Sequence, residues 1–425
     1  MSPPTPLAFD NGVADRSDML ESAGVDTLTG TPADRLTTVV LDGWAERLRR
    51  VVPYAQALTI YLGSRLLVFF GVVFGRTYVP LGNDTWLGGT SWYHRLLRWD
   101  SEWYGLIARE GYKYNGDPGQ TQTVVFYPLY PMLSRFVAGV LRIEIYDALL
   151  LVANLASVAA ILMLFRLVRE RFDDRTALTT VAMISFFPSS IFLSAGYTEP
   201  LALLLMVCFF YAIGRQHFLA AALLAGLAIA TRSSGIVLCP VLLFELWRSR
   251  SPRRFLIEAV PLAIIATSGL WLYMAYLSAT FGNPMAFSDG QAAFHENTSM
   301  LTRIVSALLL EPLRNINLAD MSPAGLDQWF TLIFIGLIVR AWFAGIGRGM
   351  ALFASLLLLL PYLTLSGGPA GFTSMARFNI VSFPLFLTLT LLSNRWRWAA
   401  PAMVGVFGGL LLVYAALFSQ WQWVG

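Results

Sequence analysis

Long, continuously apolar segments most constrain how this chain can fold. Runs such as Ala148–Val168 and Ala399–Phe418 have the length of about 20 residues that a helix needs to cross the hydrocarbon core of a bilayer. They are continuously apolar rather than alternating, which favours helices over a barrel. Only 13% of the 425 residues are charged, about half the share found in soluble domains. The sequence therefore predicts an all-α, polytopic transmembrane helical bundle with about ten or eleven crossings and no soluble catalytic domain. Its predicted single spans include Ala177–Leu193, Phe255–Ala279 and Phe378–Leu392.

Charge and cysteine usage narrow the possible partners. The formal net charge of +4 is carried almost wholly by arginine, which suits contact with anionic membrane lipids but is too small to indicate nucleic-acid binding. The two cysteines, Cys208 and Cys239, lie in apolar stretches, have no zinc-site spacing and are too few for a disulfide framework. The three histidines are scattered along the chain. We therefore expect no metal site and no nucleic-acid partner.

Arginine clusters set the expected topology. Residues 1–44 are polar and lack apolar periodicity, so they are predicted to be a disordered cytoplasmic tail. Residues 45–425 form the predicted transmembrane domain, and arginines before the first span place the N-terminus in the cytoplasm. Two long loops, 76–146 and 281–327, then fall on the outer face. Within the first loop, Phe126–Leu141 is predicted to lie at the membrane interface rather than to cross it.

The first outer loop contains an amphipathic helix with a distinctive aromatic face. Trp99, Trp103 and Leu106 follow helical spacing, which predicts an aromatic face lying in the membrane interface. Asp100 and Tyr104 share a neighbouring face at i, i+4 spacing. Asp100 is therefore a candidate for chemistry at the membrane surface; the alternative is a surface aspartate that merely pairs with an arginine.

Three more charged residues stand at the outer ends of apolar runs. A carboxylate such as Glu199 is costly there unless it is solvated or paired, although an acid in the first turn of a helix is also common. Arg232 and Arg377 carry a fixed charge and a donor geometry that matches phosphate. The alternative for them is contact with phospholipid headgroups from a helix end. Together they suggest an anionic, lipid-linked ligand.

Four segments in a fixed order give this chain a resemblance to a known family. They contain a Trp-Asp helix, a Tyr-Pro pair, a Thr-Glu-Pro turn and an Arg-Ser-Ser-Gly turn, and they are Trp99–Tyr112, Phe126–Pro131, Phe187–Pro200 and Ala230–Gly235. A weaker fifth segment contains Arg377, Ser382 and Pro384. In this combination the sequence resembles the PIG-V type mannosyltransferases, a branch of the polytopic GT-C glycosyltransferases.

The resemblance implies a substrate pair and a place for the reaction. The expected donor is polyprenyl- or dolichyl-phosphate mannose, with its sugar on the outer face of the membrane. The expected acceptor is a hydroxyl of a glycolipid or glycan, and the product is an α-mannoside. No cofactor or metal is expected, because the lipid-linked donor is itself a substrate.

Candidate roles follow from the chemistry of inverting transfer. Such a reaction needs a base for the acceptor proton and positive charge for the departing phosphate. We assign Asp100 as base, Glu199 as a residue that orients Asp100 or binds a sugar hydroxyl, and Arg232 and Arg377 as phosphate ligands. The predicted substrate-binding residues are Trp99, Glu102, Trp103, Tyr104, Tyr127 and Tyr197.

Two other functions compete with glycosyl transfer. A transporter or flippase of a lipid-linked sugar would use the same arginines, but it should also carry ionisable residues at mid-membrane depth and internal repeats. Arg65 is nearly the only deep candidate, and no repeat is evident. A structural scaffold would leave the outward carboxylates unexplained. The sequence therefore favours an enzyme.

Overall fold

The computed structural model describes residues 32–82, 91–117, 119–294, 300–364 and 374–425. Over these ranges every regular element is a helix and no strand occurs, which confirms the all-α prediction. The chain divides into two compact units, Met1–Val52 and Pro53–Gly425, and the description below concerns the second unit. The first helix begins at Pro32, inside the segment predicted to be a disordered tail, and residues 1–31 lie outside the described ranges.

The α-helices of the first half are numbered in chain order. They are α1 Pro32–Tyr78, α2 Asp100–Glu110, α3 Leu129–Leu141, α4 Ile145–Arg171, α5 Asp174–Phe186, α6 Glu199–Gly214, α7 Phe218–Thr231, α8 Leu238–Ser249 and α9 Pro252–Ala266. The remaining α-helices are α10 Ser268–Phe281, α11 Ala286–Asp289, α12 Met300–Leu308, α13 Glu311–Arg314, α14 Pro323–Ala341, α15 Arg348–Thr364, α16 Met375–Asn379, α17 Phe383–Ser393 and α18 Ala399–Ser419. Five short 3₁₀ segments, at Tyr93–Leu96, Thr123–Val125, Pro188–Leu193, Ser233–Val237 and Gly290–Phe294, connect them.

Several of these helices are long and apolar enough to cross a bilayer. Four qualify within the described residues, namely α4, α14, α18 and the part of α1 from Val51 to Tyr78, and the bent pair of α9 and α10 makes a fifth. Five shorter apolar helices accompany them: α3, α6, α7, α15 and α17. The protein is thus a multi-pass membrane protein. The count of ten or eleven crossings and the sidedness of the loops stay predictions.

Some segments predicted as single spans are broken in the structure. The predicted span Ala177–Leu193 ends as an α-helix at Phe186, because Pro188 has no backbone N–H with which to continue it. The predicted span Phe255–Ala279 bends by 49° between α9 and α10. The predicted span Phe378–Leu392 is interrupted between α16 and α17. The first and third breaks lie beside the site described below.

Arg65 on α1 compensates the break after α5. Its guanidinium donates to the backbone oxygens of Ser185 at 2.8 Å and Ser190 at 2.9 Å. It also donates to the hydroxyls of Ser190 at 3.0 Å and Ser194 at 2.7 Å. Carbonyls at a helix end would otherwise be unsatisfied in an apolar environment. The deep arginine noted in the sequence therefore holds irregular backbone in place.

The core lies between the central helices. α4 packs against α6, α6 packs against α7, and α7 packs against α9 and α10. α18 packs against α5 and against the 3₁₀ segment Pro188–Leu193. This packing fixes the segment between that 3₁₀ helix and α6, which carries Tyr197 and leads into Glu199.

Candidate functional site

Four charged residues from four separate elements meet in one ion-pair network. Asp100 is the first residue of α2, Glu199 is the first residue of α6, and Arg377 lies in the short helix α16. Arg232 lies between α7 and the 3₁₀ segment that follows it, and its backbone is extended, with φ −162°. The structure thus brings together all four residues to which the sequence assigned catalysis or phosphate binding.

Arg377 is the bridge of this network. Its Nε donates a hydrogen bond to Glu199 Oε1 at 2.7 Å, and its Nη2 forms an ion pair with Asp100 Oδ2. Burial opposes the charge on Arg377, but the carboxylates of Asp100 and Glu199 outweigh burial and raise its pKa well above the ordinary value. The guanidinium also lies over the Tyr197 ring, 4.6 Å from its centroid. Arg377 therefore stays charged and fixes the orientation of both acids.

Arg232 approaches the same oxygen from another side. Its Nη1 lies 3.1 Å from Glu199 Oε1, yet this atom forms no well-angled hydrogen bond within the described residues. The side chain is 11% exposed, and its guanidinium lies over the Phe378 ring at 5.3 Å. Since a guanidinium has five N–H donors, Arg232 keeps donor capacity for a ligand.

Solvent access separates the two carboxylates. The Glu199 side chain is fully buried, whereas that of Asp100 is 25% exposed. Within the described residues, Asp100 Oδ2 is held by Arg377 and Oδ1 accepts no hydrogen bond. Of these two carboxylates, only that of Asp100 is therefore accessible from solvent, and the buried Glu199 contacts the two arginines.

The start of α2 departs from the sequence prediction. Trp99 lies just outside the helix with φ +47°, a strained angle for a non-glycine residue. Its ring packs against Phe418, Trp421 and Trp423 at the C-terminus, with centroids 5.0–5.4 Å apart. The prediction that Trp99 belongs to the aromatic face of this helix is thus wrong, because Trp99 precedes the helix and its ring packs on these C-terminal rings. Trp421, whose ring packs against that of Trp99, is itself only 6% exposed.

Glu102 belongs to a different group of charges. Burial and the charge of Arg95 lower the pKa of Arg98 to about 10. The negative charge of Glu102 acts in the opposite direction and raises the pKa of Arg98. Glu102 is two residues from Asp100 and points to another side of α2. The structure therefore places Glu102 beside Arg98 rather than in the network of Arg377.

The predicted substrate-binding aromatics do not all lie together: Tyr104 and Tyr197 are beside the network, Trp103 lines a neighbouring cavity, and Tyr127 packs elsewhere. The hydroxyl of Tyr104 lies 3.5 Å from that of Thr198, and burial together with the charge of Asp100 raises the pKa of Tyr104. The Tyr197 hydroxyl donates to the Arg98 backbone oxygen at 3.1 Å. Tyr127, whose pKa burial raises to about 12, packs against Tyr273. Trp103 stacks on Phe126 with centroids 5.8 Å apart and lines a cavity.

Sequence reasoning missed Asp327. Its carboxylate is 2% exposed and accepts the backbone N–H groups of Met375 at 2.9 Å and Ala376 at 2.6 Å. These bonds cap the N-terminus of α16 and so place Arg377, two residues after Met375. The signal that could have revealed Asp327 is an acid inside an apolar helix, which is costly without a partner. The predicted outer loop 281–327 ends at this residue, whereas in the structure α14 already begins at Pro323, so the predicted boundary placed Asp327 in a loop rather than in a helix.

Two further observations bear on the chemistry available here. Within the described ranges, no three His, Cys, Asp or Glu side chains cluster as metal ligands. The segment Ser366–Pro369, which the sequence placed before Arg377, lies outside the described residues. The network itself combines two arginines with two carboxylates, so its formal charges balance.

The fold and this network define a class: a multi-pass helical membrane protein with a buried network of arginines and carboxylates. The sequence comparisons narrow the class. Residues 89–250 match the model of the family described as Mannosyltransferase (PIG-V). This range includes all four ordered segments noted in the sequence and three of the network residues, but not Arg377. The resemblance to PIG-V type mannosyltransferases is thus confirmed over this part of the chain.

Curated relatives agree with the family match. GPI mannosyltransferase 2 of Cryptococcus neoformans var. neoformans serotype D is 34% identical over 152 residues, which cover 33% of this chain and 34% of that protein. GPI mannosyltransferase 2 of Drosophila pseudoobscura pseudoobscura is 36% identical over 114 residues, or 24% of each chain. The matched part therefore spans about a third or less of the length of these relatives.

The solved structures that match this chain share little sequence with it. The oligosaccharyltransferase of Archaeoglobus fulgidus matches in its apo form with a TM-score of 0.44 and 13% identity, over 85% of this chain and 56% of that chain. The same enzyme tethered to an acceptor peptide gives a TM-score of 0.45 and 12% identity, over 86% and 55%. Scores below 0.5 add nothing to the case for a function.

Proposed function

We propose that this protein is a membrane glycosyltransferase that moves mannose from a polyprenyl-phosphate mannose donor to a hydroxyl of a glycolipid or glycan on the outer face. The observation that carries the proposal is the network itself. Asp100, Glu199, Arg232 and Arg377 converge from distant parts of the sequence, and three of them lie in the part that matches the mannosyltransferase family.

The proposed reaction proceeds with inversion. The acceptor oxygen forms a bond to the anomeric carbon of mannose as the bond between that carbon and the phosphate oxygen breaks. Asp100 takes the proton of the acceptor hydroxyl, and the polyprenyl phosphate leaves with the electron pair. A base in this role contributes about 10²–10⁴ to the rate. The partial exposure of Asp100 and its fixed orientation on Arg377 support this assignment.

Phosphate binding is assigned mainly to Arg232. Both carboxylates of the network already engage Arg377, whereas Arg232 makes one contact at 3.1 Å and retains its other donors within the described residues. A guanidinium of fixed charge stabilises the negative charge that develops on a departing phosphate. Arg377 adds positive charge nearby and holds Asp100 in place. Glu199, which is fully buried, serves as a positioning residue for both arginines.

The contacts of Arg65 weaken the case for a transporter. A deep arginine in a transporter would be expected to mark the substrate pathway. Arg65 instead binds the serines of the break after α5 through four hydrogen bonds of 2.7–3.0 Å. These contacts account for Arg65 as a structural residue.

The direct test is hexose transfer by purified protein in lipid nanodiscs. Polyprenyl-phosphate mannose and a membrane lipid extract are supplied, and mass spectrometry identifies any lipid that gains a hexose. Asp100→Asn should reduce turnover by about 10²–10⁴, whereas the neighbouring Glu102→Gln should keep most of it. The proposal fails if no hexose is transferred, or if Asp100→Asn retains more than about a tenth of the turnover.

A second measurement separates donor binding from acceptor binding. Arg232→Gln removes one charged contact, worth about 1.5–3 kcal/mol, and should raise the KM for the donor while leaving that for the acceptor nearly constant. The matched control is Arg109→Gln at the exposed end of α2, where the guanidinium lies over the Tyr146 ring. Equal changes in both KM values would assign Arg232 to the fold instead.

A further inference from the structure

A cavity of about 360 Å³ lies beside the network, on the next part of α2. One wall is the indole of Trp103. Leu106 of α2 also lines it, and the loop after α2 supplies the rest of the lining, including Lys113, Tyr114, Asn115, Thr121 and Gln122. The volume falls within the usual range for small-ligand sites, about 300–1,000 Å³. This cavity combines an aromatic surface with several amide and hydroxyl groups.

The polar wall is built by hydrogen bonds within the loop. The backbone N–H of Asn115 donates to Gln122 Oε1 at 2.9 Å, and Gln122 Nε2 donates to the Asp117 backbone oxygen at 2.6 Å. The backbone N–H of Lys113 donates to Thr123 Oγ1 at 2.7 Å. These bonds close the loop on itself and orient its side chains. A preformed wall of this kind lowers the entropy cost of binding.

The aromatic wall is equally fixed. Trp103 stacks on Phe126 at an interplanar angle of 16°, and Phe294 packs on it edge-on at 5.8 Å. A pyranose ring has one face of C–H bonds, which packs well on the electron-rich face of an indole. The equatorial hydroxyls then point sideways toward hydrogen-bonding groups. Asn115 Nδ2 and Gln122 Nε2 each carry two hydrogens, and each nitrogen donates one of them in a hydrogen bond within the described residues.

The charge of the cavity favours a neutral ligand. Lys113 is its charged lining residue, and its ammonium forms an ion pair with Glu110. The cavity therefore presents hydrogen-bonding groups rather than a net positive charge, and a phosphate has no compensating partner there. A sugar ring meets these requirements better than a lipid headgroup does.

The position of the cavity connects it to the reaction. Trp103 follows Asp100 by three residues on α2, a spacing that places Cβ atoms about 5–6 Å apart. We propose that this cavity is a binding subsite for one neutral pyranose unit of the acceptor, held on Trp103 beside the base. The inference rests on the proposed glycosyl transfer and adds where a sugar unit of the acceptor binds and which residues line that site.

Binding can be measured without any transfer reaction. Methyl α-mannopyranoside, methyl α-glucopyranoside and the methyl glycoside of N-acetylglucosamine are added to the protein in nanodiscs, and saturation-transfer NMR detects contact with the sugar protons. We expect signals for at least one of them, from the wild type and from Asp100→Asn alike. Thr121→Trp fills the cavity from an exposed position and should reduce the signal at least about fivefold, a loss of roughly 1 kcal/mol of binding free energy.

Matched variants keep the test decisive. Thr280→Trp places the same indole on an exposed threonine that does not line the cavity, and it should bind as the wild type does. Asn115→Ala alters the polar wall without adding bulk and should weaken binding even if Thr121→Trp does not fold. In turnover assays, Thr121→Trp should raise the acceptor KM about tenfold with the donor KM constant.

The outcomes separate this inference from the proposed function. Sugar signals that are absent from the wild type, or undiminished in both cavity variants, would overturn the subsite even if mannose transfer is observed. Conversely, sugar binding that is lost in the cavity variants, in a protein that transfers no hexose, would leave the subsite intact and refute the enzyme.

Discussion

The Arg377 guanidinium donates from Nε to Glu199 Oε1 at 2.7 Å, across 178 positions of the sequence. Glu199 is fully buried and Arg377 is 7% exposed. Because Arg232 contacts the same oxygen at 3.1 Å, one carboxylate contacts two guanidinium groups. The pairing joins α6 to α16 and to the turn after α7. It makes Glu199 the residue whose charge the fold itself requires.

Glu199→Gln should therefore destabilise the protein more than it alters the chemistry directly. Removing one partner of a buried ion pair leaves an uncompensated charge and typically costs about 3–5 kcal/mol. We expect a clear fall in the thermal unfolding temperature in nanodiscs, accompanied by a loss of transfer.

Asp100→Asn is the matched comparison, because its side chain is 25% exposed and water can solvate what remains. It should lose transfer while unfolding close to the wild-type temperature. If the two variants unfold at the same temperature, the distinction between a positioning acid and a reacting acid is wrong.

Asp327→Asn should misplace Arg377. An asparagine carbonyl lacks the charge that strengthens the two bonds to the backbone of α16, and hydrogen bonds to charged groups contribute about 1.5–3 kcal/mol. We expect kcat to fall with little change in the acceptor KM, since the cavity near Trp103 is untouched. Asp327→Glu keeps the charge and should restore part of kcat. The control is Asp289→Asn, an exposed acid that pairs with Asn283. Equal KM and kcat effects in Asp327→Asn would contradict a positioning role.

Much of the fold and of the candidate site could be predicted from local spacing in the sequence, because long apolar runs predict helices and charged residues at their ends indicate a site. Glu199, Arg232 and Arg377 were each recognisable for that reason. Their mutual contacts were not, since pairings between distant segments depend on tertiary packing rather than on periodicity. Trp99 shows the same limit: its spacing fits an interfacial face, but the C-terminal Phe418, with which its ring packs at 5.2 Å, comes 319 residues later.

Gly235→Ala should disturb the turn that presents Arg232. A Cβ at this position would lie 2.5 Å from backbone atoms of Ala228 and Ile229, so α7 would have to shift. Overpacking of this kind costs about 1–3 kcal/mol, and the donor KM should rise along with a lower unfolding temperature. Gly405→Ala is the matched control in α18, where an added Cβ meets nothing within 4 Å. A Gly235→Ala protein as stable as Gly405→Ala would show that this close approach is not required.

The outer location of the site can be tested by cysteine labelling in intact cells. Asn115 is exposed in the loop after α2, and Ser249 is exposed at the end of α8 beside several arginines. Ser101 is unsuitable because its side chain is fully buried. Cys208 and Cys239 are first replaced by alanine, so that only the introduced thiol reacts.

With a membrane-impermeant maleimide, Asn115→Cys should be labelled in intact cells, and Ser249→Cys only after permeabilisation. The reason is the arginine distribution: Arg248, Arg250, Arg253 and Arg254 surround Ser249 and favour the cytoplasmic side. Because Asn115 lines the cavity that begins at Trp103, its sidedness is also that of the proposed acceptor subsite. Labelling of Ser249→Cys but not of Asn115→Cys in intact cells would move the whole site to the cytoplasmic face, where a donor sugar on the outer leaflet could not reach Asp100.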